Sequence, residues 1–336
     1  MDPDAVRGAD RVPHGGSDDA SVLDFSANTN PRTPPGVREV YEDALAAAER
    51  YPDDDYPDYR RAAAAYAGCD PGQVVPTPGG LAAIRLAVET RVERGDSVLV
   101  PSPSFGEYAR EIALQGADPS FVPNDEVLEA DPAGHAMAVV CNPNNPTGDL
   151  YDAGALRAFA DRCRDAGTEL LVDEAFLGFT DADSLAGEPG VVVARSLTKL
   201  FGLPGLRAGF LAATGERRAD CATARRAWNL GTPAAAVGAH AMRQDEFVAE
   251  TRARVASERD RLGAALAGDF DVHPSDAPFL LLDVGDRDVA GLADAALDRG
   301  VAVRDATTFR GLDSHVRVAV RTPGENDRLL EVLADV

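Results

Sequence analysis

The sequence predicts an α/β fold: a mostly parallel sheet lying between helices, followed by a smaller C-terminal α/β unit. Three observations predict it. Short β-branched, apolar runs alternate with amphipathic stretches through the first two thirds of the chain. The motifs that carry chemistry fall at the carboxyl ends of those runs, where open α/β sheets place their sites. From about Ala234 the alternation gives way to a long charged helix and a second set of short runs.

Taken in order, the first thirty-five residues are polar and rich in Gly and Pro, with His14-Gly15-Gly16 and Asp24-Phe25-Ser26-Ala27-Asn28-Thr29-Asn30-Pro31, and they read as an arm. Helices are expected over Val37–Arg50 and Tyr59–Ala67, separated by the turn-rich Tyr51–Pro57. Strand-like runs follow at Ser97–Val100, Ala136–Cys141, Glu169–Val172, Val191–Ala194 and Gly209–Ala213. Helical stretches lie near Leu81–Arg94, Phe105–Leu114 and Ala153–Asp165. Beyond Ala234 come a helix over Glu246–Leu266, strands at Phe279–Val284, Val301–Arg304 and His315–Arg321, a helix near Ala290–Arg299, and a closing helix over Glu325–Leu333. The division expected is residues 1–35 as an arm associated with the small domain, 36–233 as the large domain and 234–336 as the small one.

The 336 residues, 45% hydrophobic, suffice for a sizeable core. No apolar run approaches the roughly 20 residues of a membrane span, and Met1-Asp2-Pro3-Asp4 does not open a secretory signal, so a cytoplasmic protein is expected. Four dispersed cysteines, Cys69, Cys141, Cys163 and Cys221, lack metal or redox spacing; no metal site is expected, and the thiols suit a reducing compartment. A net charge of −23 argues against nucleic acid and against anionic membranes as partners. Dispersed acid with almost no lysine is the pattern expected of a protein adapted to high salt.

Lys199, in Ala194-Arg195-Ser196-Leu197-Thr198-Lys199-Leu200-Phe201-Gly202, is the only lysine in the chain. Arginine stays protonated at any usable pH, whereas a partly buried lysine can act as an amine nucleophile. A lysine at a strand exit suggests an imine to a carbonyl cofactor, and pyridoxal phosphate requires four kinds of partner. The pyridine nitrogen requires a carboxylate, and Asp173 ends an apolar run. The phosphate requires hydroxyls, helix-start N–H groups and an arginine, which Ser196, Gly79-Gly80-Leu81 and Arg207 offer. The ring oxygen requires a donor, for which Asn145 stands in a Pro-flanked turn; the ring face requires an aromatic platform, for which Phe105 stands at a strand exit. Singly, each residue has an ordinary role as cap, turn or core; the argument rests on their conjunction.

With Asn142-Pro143-Asn144-Asn145-Pro146-Thr147-Gly148, Asp173-Glu174-Ala175-Phe176 and Ser196-Leu197-Thr198-Lys199 plus Arg207, the chain resembles the fold-type I pyridoxal-phosphate enzymes of the aminotransferase class I and II superfamily, over nearly its whole length. The resemblance implies a mostly parallel seven-stranded sheet and a homodimer with shared sites. It implies that Lys199 links covalently to the cofactor, Asp173 pairs the pyridine nitrogen, Asn145 bonds the ring oxygen, and Ser196, Arg207, Gly80 and Leu81 hold the phosphate. Phe105 and Phe176 border the ring. Tyr51 matches a tyrosine that reaches the phosphate in the partner subunit.

Two kinds of relative compete within the superfamily, threonine-phosphate decarboxylases of cobalamin biosynthesis and histidinol-phosphate aminotransferases, both acting on small phosphorylated amines or amino acids. His14-Gly15-Gly16, the Asp24–Pro31 segment, Phe309-Arg310-Gly311-Leu312 and Val316–Thr322 resemble the decarboxylases. The aminotransferases usually carry glycine where Arg321 stands and tyrosine where Phe176 stands. The resemblance assigns His14, Gly15, Asn28, Asn145, Arg304 and Arg317 to the substrate. It implies decarboxylation of O-phospho-L-threonine, with transamination of histidinol phosphate as the alternative. A pyridoxal-binding regulator is disfavoured, because no basic helix-turn-helix segment is present. Three departures bear on the substrate residues: a short connection from His14 to Asp24, Pro278 before the Phe-Leu-Leu strand, and a segment one residue short before Arg317.

Overall fold

The computed structural model describes all residues, 1–336. In chain order the elements are α1 (Pro3–Gly8), β1 (Leu23–Asp24), α2 (Val37–Ala47), α3 (Pro57–Ala67), β2 (Val74–Thr77), α4 (Gly80–Glu89), β3 (Ser97–Ser102), α5 (Glu107–Ala113), β4 (Asp118–Pro123), β5 (Met137–Cys141), α6 (Ala153–Ala166), β6 (Glu169–Asp173), β7 (Val191–Ser196) and β8 (Gly209–Ala212). They continue with α7 (Gly215–Ala224), α8 (Thr232–Ala241), α9 (Asp245–Leu266), β9 (Asp271–Val272), β10 (Phe279–Asp283), α10 (Val289–Asp298), β11 (Val301–Ala302), β12 (Arg304–Asp305), β13 (His315–Ala319) and α11 (Pro323–Ala334).

The α/β class is as expected. Seven strands form the principal sheet in the order β2-β8-β7-β6-β5-β3-β4. All neighbours are parallel except β8, which runs antiparallel to both β2 and β7. Strands β5 and β6 are buried almost end to end, which is why they read as apolar runs without alternation. Helix α6 buries Leu156, Phe159, Ala160 and Cys163, a stripe of helical period, and runs from the Asp152 side-chain cap to Gly167 in the left-handed region. Strand order reverses between β3 and β5, so the exits of β3, β5, β6 and β7 open onto one crevice.

A second, antiparallel sheet has the order β12-β13-β10-β9. Its β12–β13 register sets Arg304 directly opposite Arg317. The 22-residue α9 buries Val248, Thr251, Val255, Glu258, Leu262 and Leu266 at three- and four-residue spacing.

Several expectations are corrected. The helix expected to reach Arg94 stops at Glu89. Thr90 turns its hydroxyl back to Leu86 O at 2.6 Å, and Arg217 takes Ala87 O at 2.7 Å, so the last carbonyls are satisfied without another turn. The helix expected from Phe105 begins at Glu107, leaving Phe105 in the preceding turn. Strands β2 and β4, helices α7 and α8 and the antiparallel direction of β8 were not anticipated. The polar start of the chain is not uniformly an arm: α1 is capped by Asp2, which bonds Leu114 O through its N–H and Arg94 through its carboxylate. Leu23–Asp24, in contrast, pairs in parallel with β11 as a separate two-stranded sheet, and Phe25 O accepts from Ala319 N at the end of β13, which ties this stretch to the second sheet.

Candidate active site

The crevice holds a cavity of about 360 Å³. Around it the fold gathers fourteen of the fifteen residues singled out from the sequence: His14, Gly15, Asn28, Gly80, Leu81, Phe105, Asn145, Asp173, Phe176, Ser196, Lys199, Arg207, Arg304 and Arg317. Tyr51 is not among them. Its side chain is 79% exposed and stacks on Trp228, with ring centroids 4.5 Å apart.

Asp173 ends β6 with its carboxylate buried. It accepts from Tyr108 Oη at 2.6 Å and from Ala175 N at 3.0 Å. Burial raises its pKa; those two donors and the Lys199 charge oppose the rise. Burial, then the Asp173 charge, hold Tyr108 well above the ordinary phenol range, so its O–H stays a donor. Tyr108 was missed in the sequence. The available signal was its place three residues after Phe105, one helical turn along the wall of the crevice.

Lys199 follows β7, with its Nζ 5.9 Å from the centre of the Phe176 ring. Its loop is pinned by Asn30, which donates its N–H to Lys199 O at 2.9 Å and its side-chain amide to Leu200 O at 2.8 Å. Burial, then the charges of Arg317 and Arg207, pull the ammonium down from its ordinary 10.5 to about 8, against the opposing pull of Asp173. An amine so placed is partly neutral near pH 8 and can attack an aldehyde or carry a proton.

Asn145 is presented by a stiff turn in which Asn144 donates to Pro103 O at 3.1 Å and to Thr147 Oγ1 at 2.9 Å, and Gly148 N–H to Asn144 O at 2.7 Å. Arg317 donates to Asn145 Oδ1, which leaves the Asn145 amide N–H groups as donors.

One end of the cavity is a cradle suited to an anion. Helix α4 opens on the cavity at Gly80 and Leu81, where unpaired N–H groups favour an anion. Gly79 has φ +96°, and a Cβ there would lie 2.6 Å from Arg207 Nη2. A Cβ on Gly80 would lie 3.0 Å from Ser196 Cβ. Arg207 itself adopts φ +52°, and Ser196 Oγ is hydrogen-bonded to Thr198 Oγ1 at 2.8 Å.

On the other side, the Arg317 side chain is buried and donates through Nη2 to Ser26 O at 2.9 Å. Burial, reinforced by Arg304, pulls its pKa down to about 9. Arg304 donates to Pro13 O at 2.7 Å and Thr308 Oγ1 at 2.9 Å. His14 Nε2 is 2.9 Å from the buried carboxylate of Glu107, and Asn28 Oδ1 is buried without a partner. Glu174, next to Asp173 in sequence, takes no part: it turns away into a buried pair with Arg195 at 3.2 Å.

A carboxylate, an amine, an amide donor and an anion cradle around one cavity fit pyridoxal phosphate. The family model for aminotransferase class I and II matches residues 20–333. The chain belongs to the aminotransferase class I and II family. It is 32% identical to the threonine-phosphate decarboxylase of Salmonella typhimurium over 336 aligned positions, covering 94% of this chain and 91% of that one. It is 29% identical to histidinol-phosphate aminotransferase 1 of Archaeoglobus fulgidus over 324 positions, covering 94% and 99%. Among solved structures, the L-threonine-O-3-phosphate decarboxylase of Porphyromonas gingivalis shares the fold with a TM-score of 0.86 at 24% identity, covering 94% of this chain and 99% of that one. The histidinol-phosphate aminotransferase of Sinorhizobium meliloti in complex with pyridoxal-5'-phosphate shares it at 0.80 and 24%, covering 92% and 89%. The protein is a pyridoxal-phosphate-dependent enzyme of this family, with the seven-stranded sheet of its fold type. No helix is long and apolar enough to cross a membrane.

Proposed function

We propose that the enzyme decarboxylates O-phospho-L-threonine to (R)-1-amino-2-propanol O-2-phosphate and CO₂, the amine unit required in cobalamin biosynthesis. The observation that carries this reading is the cation pair. Arg304 and Arg317 face each other across β12 and β13 and both line the cavity, beside His14 and Asn28. A substrate with a phosphate and a carboxylate matches two guanidinium forks in a poorly solvated wall.

When bound, pyridoxal phosphate supplies an aldehyde and an electron-withdrawing ring that stabilises negative charge at the substrate Cα. Lys199 would hold it covalently, Asp173 would face the ring nitrogen and Asn145 the ring oxygen. Phe105 and Phe176 would border the ring, and Gly80, Leu81, Ser196 and Arg207 would hold the phosphate. His14, Gly15, Asn28, Asn145, Arg304 and Arg317 would orient the substrate so that its carboxylate bond is the one broken. Lys199 Nζ or a water would deliver the proton that takes the place of the lost carboxylate at Cα. Tyr108 holds Asp173 in place with its O–H.

In the same reading the chain works in the cytoplasm, in high salt, as a homodimer in which the exposed Tyr51 reaches the cofactor phosphate of the partner subunit. The arm, large domain and small domain divide at residues 35 and 233.

The second reading, transamination of histidinol phosphate with 2-oxoglutarate, draws on the relatives, since the similar proteins include several histidinol-phosphate aminotransferases. The deciding experiment incubates the cofactor-loaded protein in high salt with each substrate. CO₂ released from phosphothreonine without an amine acceptor supports the decarboxylase. Glutamate formed from histidinol phosphate and 2-oxoglutarate, with no CO₂ from phosphothreonine, refutes it. Lys199→Arg should abolish either activity.

A further inference from the structure

Arg321 does not line the cavity, yet its side chain is aimed at the segment that walls it. Nη1 donates to Asp24 O at 3.1 Å, and the guanidinium carbon sits 5.6 Å from the centre of the fully buried Phe25 ring. Nη2 donates to Glu325 Oε1 at 2.7 Å. Glu325 is itself immobilised, because its other oxygen accepts from Thr322 N at 3.0 Å and Thr322 Oγ1 at 2.6 Å in the capping box of α11. The backbone carbonyl of Arg321 accepts from Arg254 Nη1 at 2.8 Å, and Arg254 Nη2 donates to Asn30 Oδ1 at 2.7 Å. Residue 321 therefore holds both ends of the stretch from Asp24 to Asn30, the first through its guanidinium and the second through its backbone carbonyl and Arg254.

What lies between those ends carries or touches three of the residues on the substrate side, Gly15, Asn28 and Arg317. The Asp24 carboxylate accepts from Ser26 N, Ser26 Oγ, Ala27 N and Ser17 N. Ser26 Oγ accepts from Gly16 N at 2.8 Å, and Gly15 packs so closely on Ser26 O that a Cβ would lie 2.4 Å away. Ser26 O is also the acceptor for Arg317 Nη2, and Asn28 carries the unpartnered Oδ1. At the far end Asn30 N–H meets Lys199 O.

We propose that Arg321 is a positioning residue for the substrate: by clamping the Asp24–Asn30 turn it sets the placement of Gly15, Asn28 and Arg317, and with Gly15 the neighbouring His14. The inference rests on the reading that the cavity takes a phosphorylated amino acid. The cofactor shell, set at the exits of β3, β5, β6 and β7 and at the start of α4, takes no bond from the Arg321 side chain. Replacing the Arg321 side chain loosens only the Asp24 end of the turn. The Asn30 end, which pins the Lys199 loop, keeps its link through Arg254 to the backbone carbonyl of residue 321, so the loss falls on substrate binding, where a fork displaced by a fraction of an ångström loses its paired geometry.

The test uses the cofactor-loaded full chain with Arg321→Met, which keeps the bulk over Phe25, and Arg321→Lys, which keeps the charge beside Glu325 but not the fork. For Arg321→Met the KM for O-phospho-L-threonine rises about tenfold or more, the effect of losing charge-assisted bonds, while cofactor affinity stays within about twofold. Arg321→Lys recovers part of that loss. Hydrogen exchange supplies a readout independent of turnover: the amides of Gly16, Ser17, Ser26 and Ala27 exchange about tenfold faster in Arg321→Met, while those of Met137–Cys141 are unchanged. Unchanged exchange in the turn overturns the proposal, as does a KM equal to wild type. Cofactor affinity and KM weakening together also overturn it, because that is the mark of general destabilisation. A wild-type enzyme that neither binds nor converts phosphothreonine but converts histidinol phosphate sinks the decarboxylase reading; KM for histidinol phosphate and the exchange pattern then decide the clamp. A wild type that binds neither substrate overturns the substrate role.

Discussion

Replacing Lys199 with methionine should make the cofactor-free protein more stable at pH 7. The folded protein lowers this ammonium from 10.5 to about 8, chiefly by burial and by Arg317 and Arg207. At 1.36 kcal/mol per pH unit, holding the charged form in place costs about 3 kcal/mol at neutral pH. Lys199 is only partly shielded from the cavity, so solvent screening reduces the expected gain to about 2 kcal/mol. The sign follows from proton linkage. Below pH 8 both folded and unfolded chains carry the proton, and the full penalty is present. Between 8 and 10.5 the unfolded chain keeps the proton that the folded one has lost, so wild-type stability rises relative to the variant, and the gain falls below about half by pH 9.5. With an unfolding entropy of about 2.1 cal/mol/K per residue, the gain corresponds to roughly 3 °C in Tm for a chain of this length. The assay is a pair of melting curves for the two cofactor-free proteins at pH 7 and pH 9.5. A variant no more stable than wild type at pH 7, or a gain that persists unchanged at pH 9.5, would show that the site does not depress the amine.

Three further outcomes are expected. Gly79→Ala should raise the dissociation constant for pyridoxal phosphate tenfold or more, roughly the effect of a 1.4 kcal/mol strain, because φ is +96° and the new Cβ would meet Arg207 Nη2 at 2.6 Å; cofactor titration by absorbance reads this. Tyr108→Phe removes the 2.6 Å bond to Asp173 and should cost about 1.5–3 kcal/mol of that carboxylate's stabilisation, seen as a ten- to hundredfold loss in cofactor affinity or kcat while the fold is kept. Glu174→Ala leaves the buried Arg195 unpaired and should destabilise the protein by about 3–5 kcal/mol, measured by denaturant unfolding; a change below about 1 kcal/mol would mean that Arg195 finds another partner.

The cofactor side of this protein is written locally. Lys199, Asp173 and Asn145 each stand just after an apolar run, and a run that ends in a polar group marks a strand exit whatever its neighbours are. Position along the chain and side-chain chemistry therefore sufficed to bring them together on paper. Strand direction is different, because it is decided by which backbone groups pair across space. Gly209–Ala212 reads like its parallel neighbours and runs opposite to them. Arg304 and Arg317 become one cation pair only through the β12–β13 register. Tyr108 looks like core until Asp173 is set opposite its hydroxyl, and Glu174 looks like part of the site until its side chain is found turned to Arg195. Arg321 shows what the sequence left open on the substrate side: its partners Asp24 and Arg254 lie far away in the chain, and contacts between distant segments leave no periodic trace in either one.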